Sequence, residues 1–388
     1  MPSTPHRPDA TVQVAPAAQT GSAAPTGPTG HAGPTGHAGP TGHAGPAART
    51  GSAVLAGSVD PKAGPSDPAA PYEDGARSRR AGWIPAGRSD RLIAVTALCG
   101  ALLMVLHAQV PNGFGLGSLL ETFLPWAGLC VPVLLAWAVV RRSRVAAVAV
   151  IAPAVAWVSL FGGVVVDKTS AGGDLVVVTH NVGEANREPG RTARALARSG
   201  ADVLALEELS SKTTPVYERE LAADFPYHSV HQGVGLWSTY PLREVEPVPI
   251  MPWTRAVRAT VHTPKGPVAV FAAHLASVRV SPAAGFATAR RNEAGRNLAE
   301  VVRAERLPRV VVVGDFNGTG EDTALRPLTS QLRSAQGEAG AGFGFTWPAS
   351  FPLVRIDQIF VRGVSPVSSW SLPATGSDHL PVAASLRL

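Results

Sequence analysis

Cysteine is nearly absent from this chain: of its 388 residues only Cys99 and Cys130 are cysteines, and both fall inside long apolar stretches. The rest of the molecule therefore has no disulfide and no cysteine-built zinc site, and an ordinary apolar core must hold it together. A one-sided charge is missing as well. The sequence pI is about 9.8, yet residues 167–388 carry 23 Lys and Arg against 21 Asp and Glu. The basic surplus lies upstream, beside the apolar stretches, where it reports membrane topology and is weak evidence for a polyanionic substrate. Long apolar runs are absent after residue 173 and dominate the stretch before it, so the chain divides into zones.

Residues 1–90 are Pro, Gly, Ala, Thr and Ser with scattered charge. From Gly27 to Ala47 the unit Gly-Pro-Thr-Gly-His-Ala recurs and sets Gly at every third position for seven triplets. The pattern is formally like collagen but makes a weak triple helix at best. The composition predicts a disordered cytoplasmic tail in which His31, His37 and His43 are solvated.

Within residues 91–166 three runs, Leu92–Val110, Leu116–Val140 and Val145–Val166, are each about long enough to cross a hydrocarbon layer of about 30 Å as a helix. Three transmembrane helices are expected. A cleaved signal peptide would not start near residue 92 or be followed by two further runs. Arg77, Arg79, Arg80, Arg88 and Arg91 precede the first run, and Arg141, Arg142 and Arg144 separate the second from the third. Both of those segments belong in the cytoplasm, which makes this a multi-pass protein of the cell membrane with the domain from Gly173 outside. Glu121 is the one acid within the second run and reads as interfacial.

Residues 173–388 alternate short β-branched runs with amphipathic stretches, an α/β pattern. Strands are expected at Leu175–Thr179, Asp202–Leu206, Gly235–Ser238, Ala256–His262, Val268–His274, Val310–Val313, Ile356–Val361 and Val382–Leu386. One helix is expected over Thr192–Arg198, and Ser281-Pro282 reads as the start of a long one through about Arg306. The conspicuous polar residues sit where apolar strands end: Asn181, Glu207 and Glu208, His274, Asp315 and Asn317, and the Ser377-Asp378-His379 turn. Carboxylates, amides and histidines without cysteine suit a hard, oxygen-ligated cation. Each alone would pass for a loop acid, a capping turn or a rim histidine; the order and spacing of the whole set overturn that reading.

In that order the motifs Thr179-His-Asn-Val, Ala201-Asp-Val-Leu-Ala-Leu-Glu-Glu-Leu, Gly235-Leu-Trp-Ser, Ala272-Ala-His-Leu, Gly314-Asp-Phe-Asn, Arg355-Ile-Asp-Gln-Ile-Phe and Ser377-Asp-His-Leu-Pro-Val resemble the endonuclease/exonuclease/phosphatase superfamily of metal-dependent phosphoesterases. The resemblance implies a two-sheet α/β sandwich of the deoxyribonuclease-I-like type, with its site at one edge between the sheets. It implies Glu208 as principal metal ligand with Asn181 beside it and Asp378 at the metal side. It implies Asp315 and Asn317 on water and phosphate, His274 on a phosphate oxygen, and His379 oriented by Asp357. Either His379 or Asp315 serves as base. Mg²⁺ is the expected ion, with Mn²⁺ able to substitute.

Two departures stand out. Glu207 occupies a position where the family often has Gln, which adds an acid that either alters metal preference or points into solvent, and Gly183 stands where nucleases of the family often carry a second acid. One metal is therefore expected. The expected substrate is a phosphate ester: first a phosphodiester, as for a nuclease (with Arg187, Arg191, Arg255, Arg258, Arg290, Arg291, Trp253 and Trp347 available to nucleic acid) or a general phosphodiesterase, then a phospholipid or sphingolipid diester, then a phosphomonoester. No obligate protein partner is inferred. A catalytically silent domain that binds a phosphorylated ligand is the competing class, and the completeness of the polar set argues against it.

Overall fold

The computed structural model describes residues 13–14, 87–281 and 285–388. The readings of the repeats, and of the tail apart from residues 13–14 and 87–90, lie outside the described residues. Five helices come first: α1 (Arg88–Val105), α2 (Leu116–Phe123), α3 (Cys130–Val140), α4 (Arg144–Ala149) and α5 (Ile151–Val165). α1 turns toward α3, α4 and α5 a stripe of Ile93, Ala97, Ala101 and Met104, spaced at helical period, and all four are buried. Its other face exposes Leu92, Val95, Leu98 and Leu102.

Two stretches are long and apolar enough to cross a membrane, Gly113–Val140 with 28 residues and Arg144–Val165 with 22. The first expected span differs. It is an 18-residue helix that ends at Val105, not Val110, and its opening turn carries Arg88, Asp90 and Arg91.

The remainder is a two-sheet α/β sandwich, as expected. Its elements are β1 (Gln13–Val14), β2 (Leu175–Asn181), α6 (Pro189–Ala197), β3 (Val203–Glu207), α7 (Thr214–Leu221), β4 (Tyr227–His231), β5 (Val234–Ser238), β6 (Leu242–Val248), β7 (Ala256–Thr263) and β8 (Gly266–His274). Then follow the hairpin β9–β10 (Arg279–Ser281, Gly285–Ala287), α8 (Ala289–Ala304), β11 (Val310–Asp315), α9 (Arg326–Thr329), β12 (Arg333–Ser334), α10 (Ala335–Ala339), β13 (Asp357–Arg362), β14 (Ser365–Ser371) and β15 (Val382–Arg387). One sheet has the order β1-β4-β5-β3-β2-β15-β14 and the other β12-β13-β11-β8-β7-β6. Each is antiparallel but for one central parallel pair, β2 with β3 and β11 with β8.

Alternation along the strands makes three layers. Val177, Val270, Val313 and Ile359 point between the sheets, whereas Phe271, Val312 and Phe360 point outward under α8. Ala294, Leu298 and Val302, one helical turn apart, form the buried stripe of α8. That helix starts at Ala289, not at Ser281: the residues before it form the hairpin β9–β10. A Ser-Pro start is a local signal, and here strand pairing overrides it.

The helices and the sandwich share a polar seam. Arg291, 1% exposed, pairs with Asp322 at 2.6 Å and donates to Ser118 Oγ of α2 at 3.0 Å. Glu121, 2% exposed, accepts from the backbone and hydroxyl of Thr323 and sits 3.1 Å from His107. The intramembrane acid of the sequence is thus a buried docking residue.

Candidate active site

Because β2 and β3 run parallel, as do β8 and β11, the C-terminal ends of all four strands reach the same edge. Register does the rest: Asn181 lies beside Glu207, Asp315 beside His274, and Asp315 beside Asp357 on its other flank. Seven residues expected from the sequence therefore converge, although they span positions 181 to 379.

The loops after these strands are fixed by unusual backbone. Glu208 and Asn317 both adopt positive φ, 58° and 47°. Asn tolerates that region; Glu does not readily, and such strain, on the order of 1–3 kcal/mol, persists where the surroundings enforce it. Gly314 at φ 137° admits no side chain, since a Cβ there would lie 1.8 Å from the Ala273 carbonyl oxygen.

His379 Nδ1 lies 2.9 Å from Asp357, and its Nε2 is 3.9 Å from Asp315. Burial alone would push the imidazole pKa down, but the Asp357 carboxylate, with Asp315 and Asp378, outweighs it and holds the group at about 10. Ser377 fixes this turn, donating to the Asn181 carbonyl and accepting from the His379 N–H. Asp315 accepts from the Asn317 N–H at 2.8 Å and from the Asn181 amide at 3.0 Å. Burial, and then the charge of Asp357, raise it to about 7. His274 is buried with neither ring nitrogen hydrogen bonded within the protein, and its Nε2 stands 3.7 Å from both Glu208 and Asp315. Burial, Arg255 and His379 drive its pKa well below the ordinary value, so it is neutral.

The tightest group of potential metal-binding atoms is Asp315, Asp357 and His379, all within 4.8 Å. Within this trio the His379 Nδ1 is already engaged by Asp357, which leaves Nε2 facing Asp315. Glu208 and Asn181 each carry an oxygen donor, Asn181 Oδ1 accepting from the Gly183 N–H, and the buried His274 Nε2 stands 3.7 Å from Glu208. This set fits a hard divalent cation. Asp378 stands apart: it is exposed, accepts from Trp347 Nε1 at 3.2 Å, and has no hydrogen bond or ion pair with Glu208, Asn181 or Asp315.

Several residues escaped sequence reasoning. Glu207 does not point into solvent; it is fully buried, accepts from Thr179 Oγ1 at 2.8 Å, and burial raises its pKa well above the carboxylate range. His180 is buried on Thr375, and burial lowers it to about 3. Of the arginines, Arg255 faces the charges of Glu208 and Asp315, whereas Arg258 pairs with Glu244 and Glu305 and Arg291 with Asp322. Arg255, named in the sequence only as one of several arginines available to a nucleic acid, is placed at the site by the sheet, where its carbonyl accepts from the His274 N–H.

Buried carboxylates with separated proton affinities, an oriented imidazolium and a cation-binding edge define a hydrolase of charged esters. The model of the Endonuclease/Exonuclease/phosphatase family matches residues 178–379, just over half of the chain, and the chain belongs to that family of phosphoester hydrolases. No curated protein matches. Among solved structures, the sphingomyelinase C of Streptomyces griseocarneus is 20% identical over 54% of this chain and 98% of that one, with a TM-score of 0.43. D. rerio TDP2 complexed with single-strand DNA product is 19% identical over 55% of this chain and 99% of that one, with a TM-score of 0.47. A Staphylococcus aureus beta toxin with bound magnesium ions is 18% identical over 55% and 99%, with a TM-score of 0.43.

Proposed function

We propose that the chain is a Mg²⁺-dependent phosphodiesterase held at the outer face of a membrane by its helices. The observation that carries the chemistry is the buried His379–Asp357 pair, 2.9 Å apart, set against Asp315 and the Glu208–His274 edge. A cation held by Glu208 and Asn181, with Mn²⁺ able to replace Mg²⁺, would supply neutralisation of phosphate charge. Asp315, with a proton affinity near neutrality, accepts a proton from the attacking water, and the Asn317 amide keeps it in place. The His379 imidazolium stabilises charge that develops on the phosphoryl oxygens, and neutral His274 donates to one of them.

The membrane placement rests on the exposed leucines and valines of α1, α3 and α5 and on the arginines between α3 and α4. Nucleic acid or another soluble diester is the first substrate reading. A second, a phospholipid diester, is favoured by one observation: Arg291 donates both to the Asn317 carbonyl and to Ser118 of α2, so the catalytic loop is seated on the helices.

The test is hydrolysis of bis(p-nitrophenyl) phosphate, plasmid DNA and a sphingomyelin emulsion, with Mg²⁺ or with EDTA, by the wild type, Glu208→Ala and His379→Ala. Metal-dependent turnover lost in both variants supports the reading, and the preferred substrate settles the subclass. Turnover that survives EDTA or either substitution would overturn it. A folded, metal-binding protein that turns over none of the three favours the silent ligand-binding class.

A further inference from the structure

Behind the sheet, on the side away from the catalytic edge, lies a second concave site. Strand alternation places Asp357, Ile359 and Val361 toward the sandwich interior and Gln358 and Phe360 outward. The outward pair lines a cavity of about 270 Å³ closed by Thr122, Pro125 and Val164 of the helices. That is about nine times the liquid share of one water. Arg355 lines it, 7% exposed, with Nη1 bound to the Gly344 carbonyl but Nε and Nη2 without a partner among the described residues. Thr319 Oγ1 and Gln336 Oε1, also on the lining, are buried and unpartnered. Lys168 reaches the same rim, donating to the carbonyls of Gly163 and Gly337. Glu321 lines the cavity as well, but it is exposed.

Two buried guanidinium N–H groups without acceptors are costly, because the charge is desolvated and left unpaired. Burial pushes Arg355 down to about 10 against the charges of Asp357 and Glu321, so it stays charged at neutral pH; Asp357 is committed to His379, and neither carboxylate hydrogen bonds to Nε or Nη2. An anion is the missing partner.

The neighbouring space says what the anion is attached to. An apolar groove of about 450 Å³ shares Pro125, Phe343 and Phe345 with the polar cavity and runs along Leu129, Trp157 and Val158. Phe343 and Phe345 stack on each other and bridge to Trp157 and Trp126 at centroid distances of 6.2 and 5.6 Å. The segment that carries Phe343 and Phe345 is thus clamped on the helices. Tryptophans of this kind belong where hydrocarbon meets headgroups.

We propose that this composite site binds one anionic phospholipid, with its phosphate on Arg355, a headgroup hydroxyl on Gln336 and Thr319, and an acyl chain in the groove. The site is independent of the hydrolytic reading, since it faces the other side of β13.

The experiment uses the full chain in neutral maltoside micelles. Dioleoyl-phosphatidylglycerol, dioleoyl-phosphatidylcholine and inorganic phosphate are titrated in, and retained adducts are counted by native mass spectrometry. The expected result is one saturable equivalent of phosphatidylglycerol, in preference to phosphatidylcholine and not displaced by inorganic phosphate. Arg355→Gln and Val158→Trp, the latter filling the groove from its exposed rim, should each weaken it about tenfold or more. Should Arg355→Gln fail to fold, Val158→Trp alone decides, its turnover of bis(p-nitrophenyl) phosphate serving as the check that the fold is intact. Unchanged affinity in the folded variants, equal retention of phosphatidylcholine, or displacement by inorganic phosphate would each overturn the assignment.

Discussion

Leu98 and Leu298 are the same side chain put to opposite uses. Leu98 lies 55% exposed on the outer face of α1, whereas Leu298 is fully buried between α8 and the outer face of its sheet. The sandwich hides its apolar residues from water, while the helical region turns many of them outward and buries Ile93, Met104, Leu134 and Phe161 together with Ala97, Ala101, Ala138, Ala146 and Ala156. Large apolar residues on the perimeter are what the proposed membrane placement calls for. Where the two regions meet, neither rule holds: the seam of Arg291, Asp322, Ser118, Glu121 and Thr323 is polar and buried.

The comparison can be broken at several points. The largest effect is catalytic: Glu208→Ala and His379→Ala should each lower metal-dependent diester hydrolysis by about 10³-fold in steady-state assays while thermal unfolding stays cooperative. Next comes the seam. Asp322→Ala leaves the Arg291 charge buried and unpaired, and chemical unfolding in micelles should show a loss of about 3–5 kcal/mol. Inside the sandwich, Leu298→Ala should lose about 2–5 kcal/mol by the same measurement. Glu121→Gln, which weakens the bonds from Thr323, should lose about 1–3 kcal/mol. Leu98→Ala should change stability by less than about 0.5 kcal/mol, as a surface side chain does; a loss equal to that of Leu298→Ala would refute the outward-facing assignment.

The smallest effect is one of pH. Burial lowers the pKa of His228, stacked on Trp237, with Glu218 opposing. Below about 6.5 the unfolded chain takes up a proton that the folded chain resists, so stability falls as pH drops through that value. In His228→Phe the fall in melting temperature between about pH 7 and pH 5 should be shallower; an identical slope would exclude His228 as its source.

Much of this was legible in order along the chain. The β-branched runs at Leu175, Val203, Val268 and Val310 became strands because alternation and burial on both faces leave them no other use. What lacked such a signature was missed: Tyr227–His231 and Ser365–Ser371 are strands with half-exposed faces, and Thr214–Leu221 is a helix of mostly polar residues. Glu207 could not be told from a solvent-facing acid, since whether a strand-end carboxylate meets water or Thr179 depends on the strand beside it.

By itself the sequence determined which polar residues would gather at one sheet edge, because they stand at the ends of apolar strands whose order the β-branched runs dictate. It also determined that one stretch would turn leucine outward, since no arrangement of so apolar a stretch can bury all of it. Only the tertiary structure decided the proton affinities of Asp315, Glu207 and His379, the seating of the catalytic loop on α2 through Arg291, and the stranded charge of Arg355. Each depends on desolvation by residues distant in the chain, a quantity that no local pattern encodes.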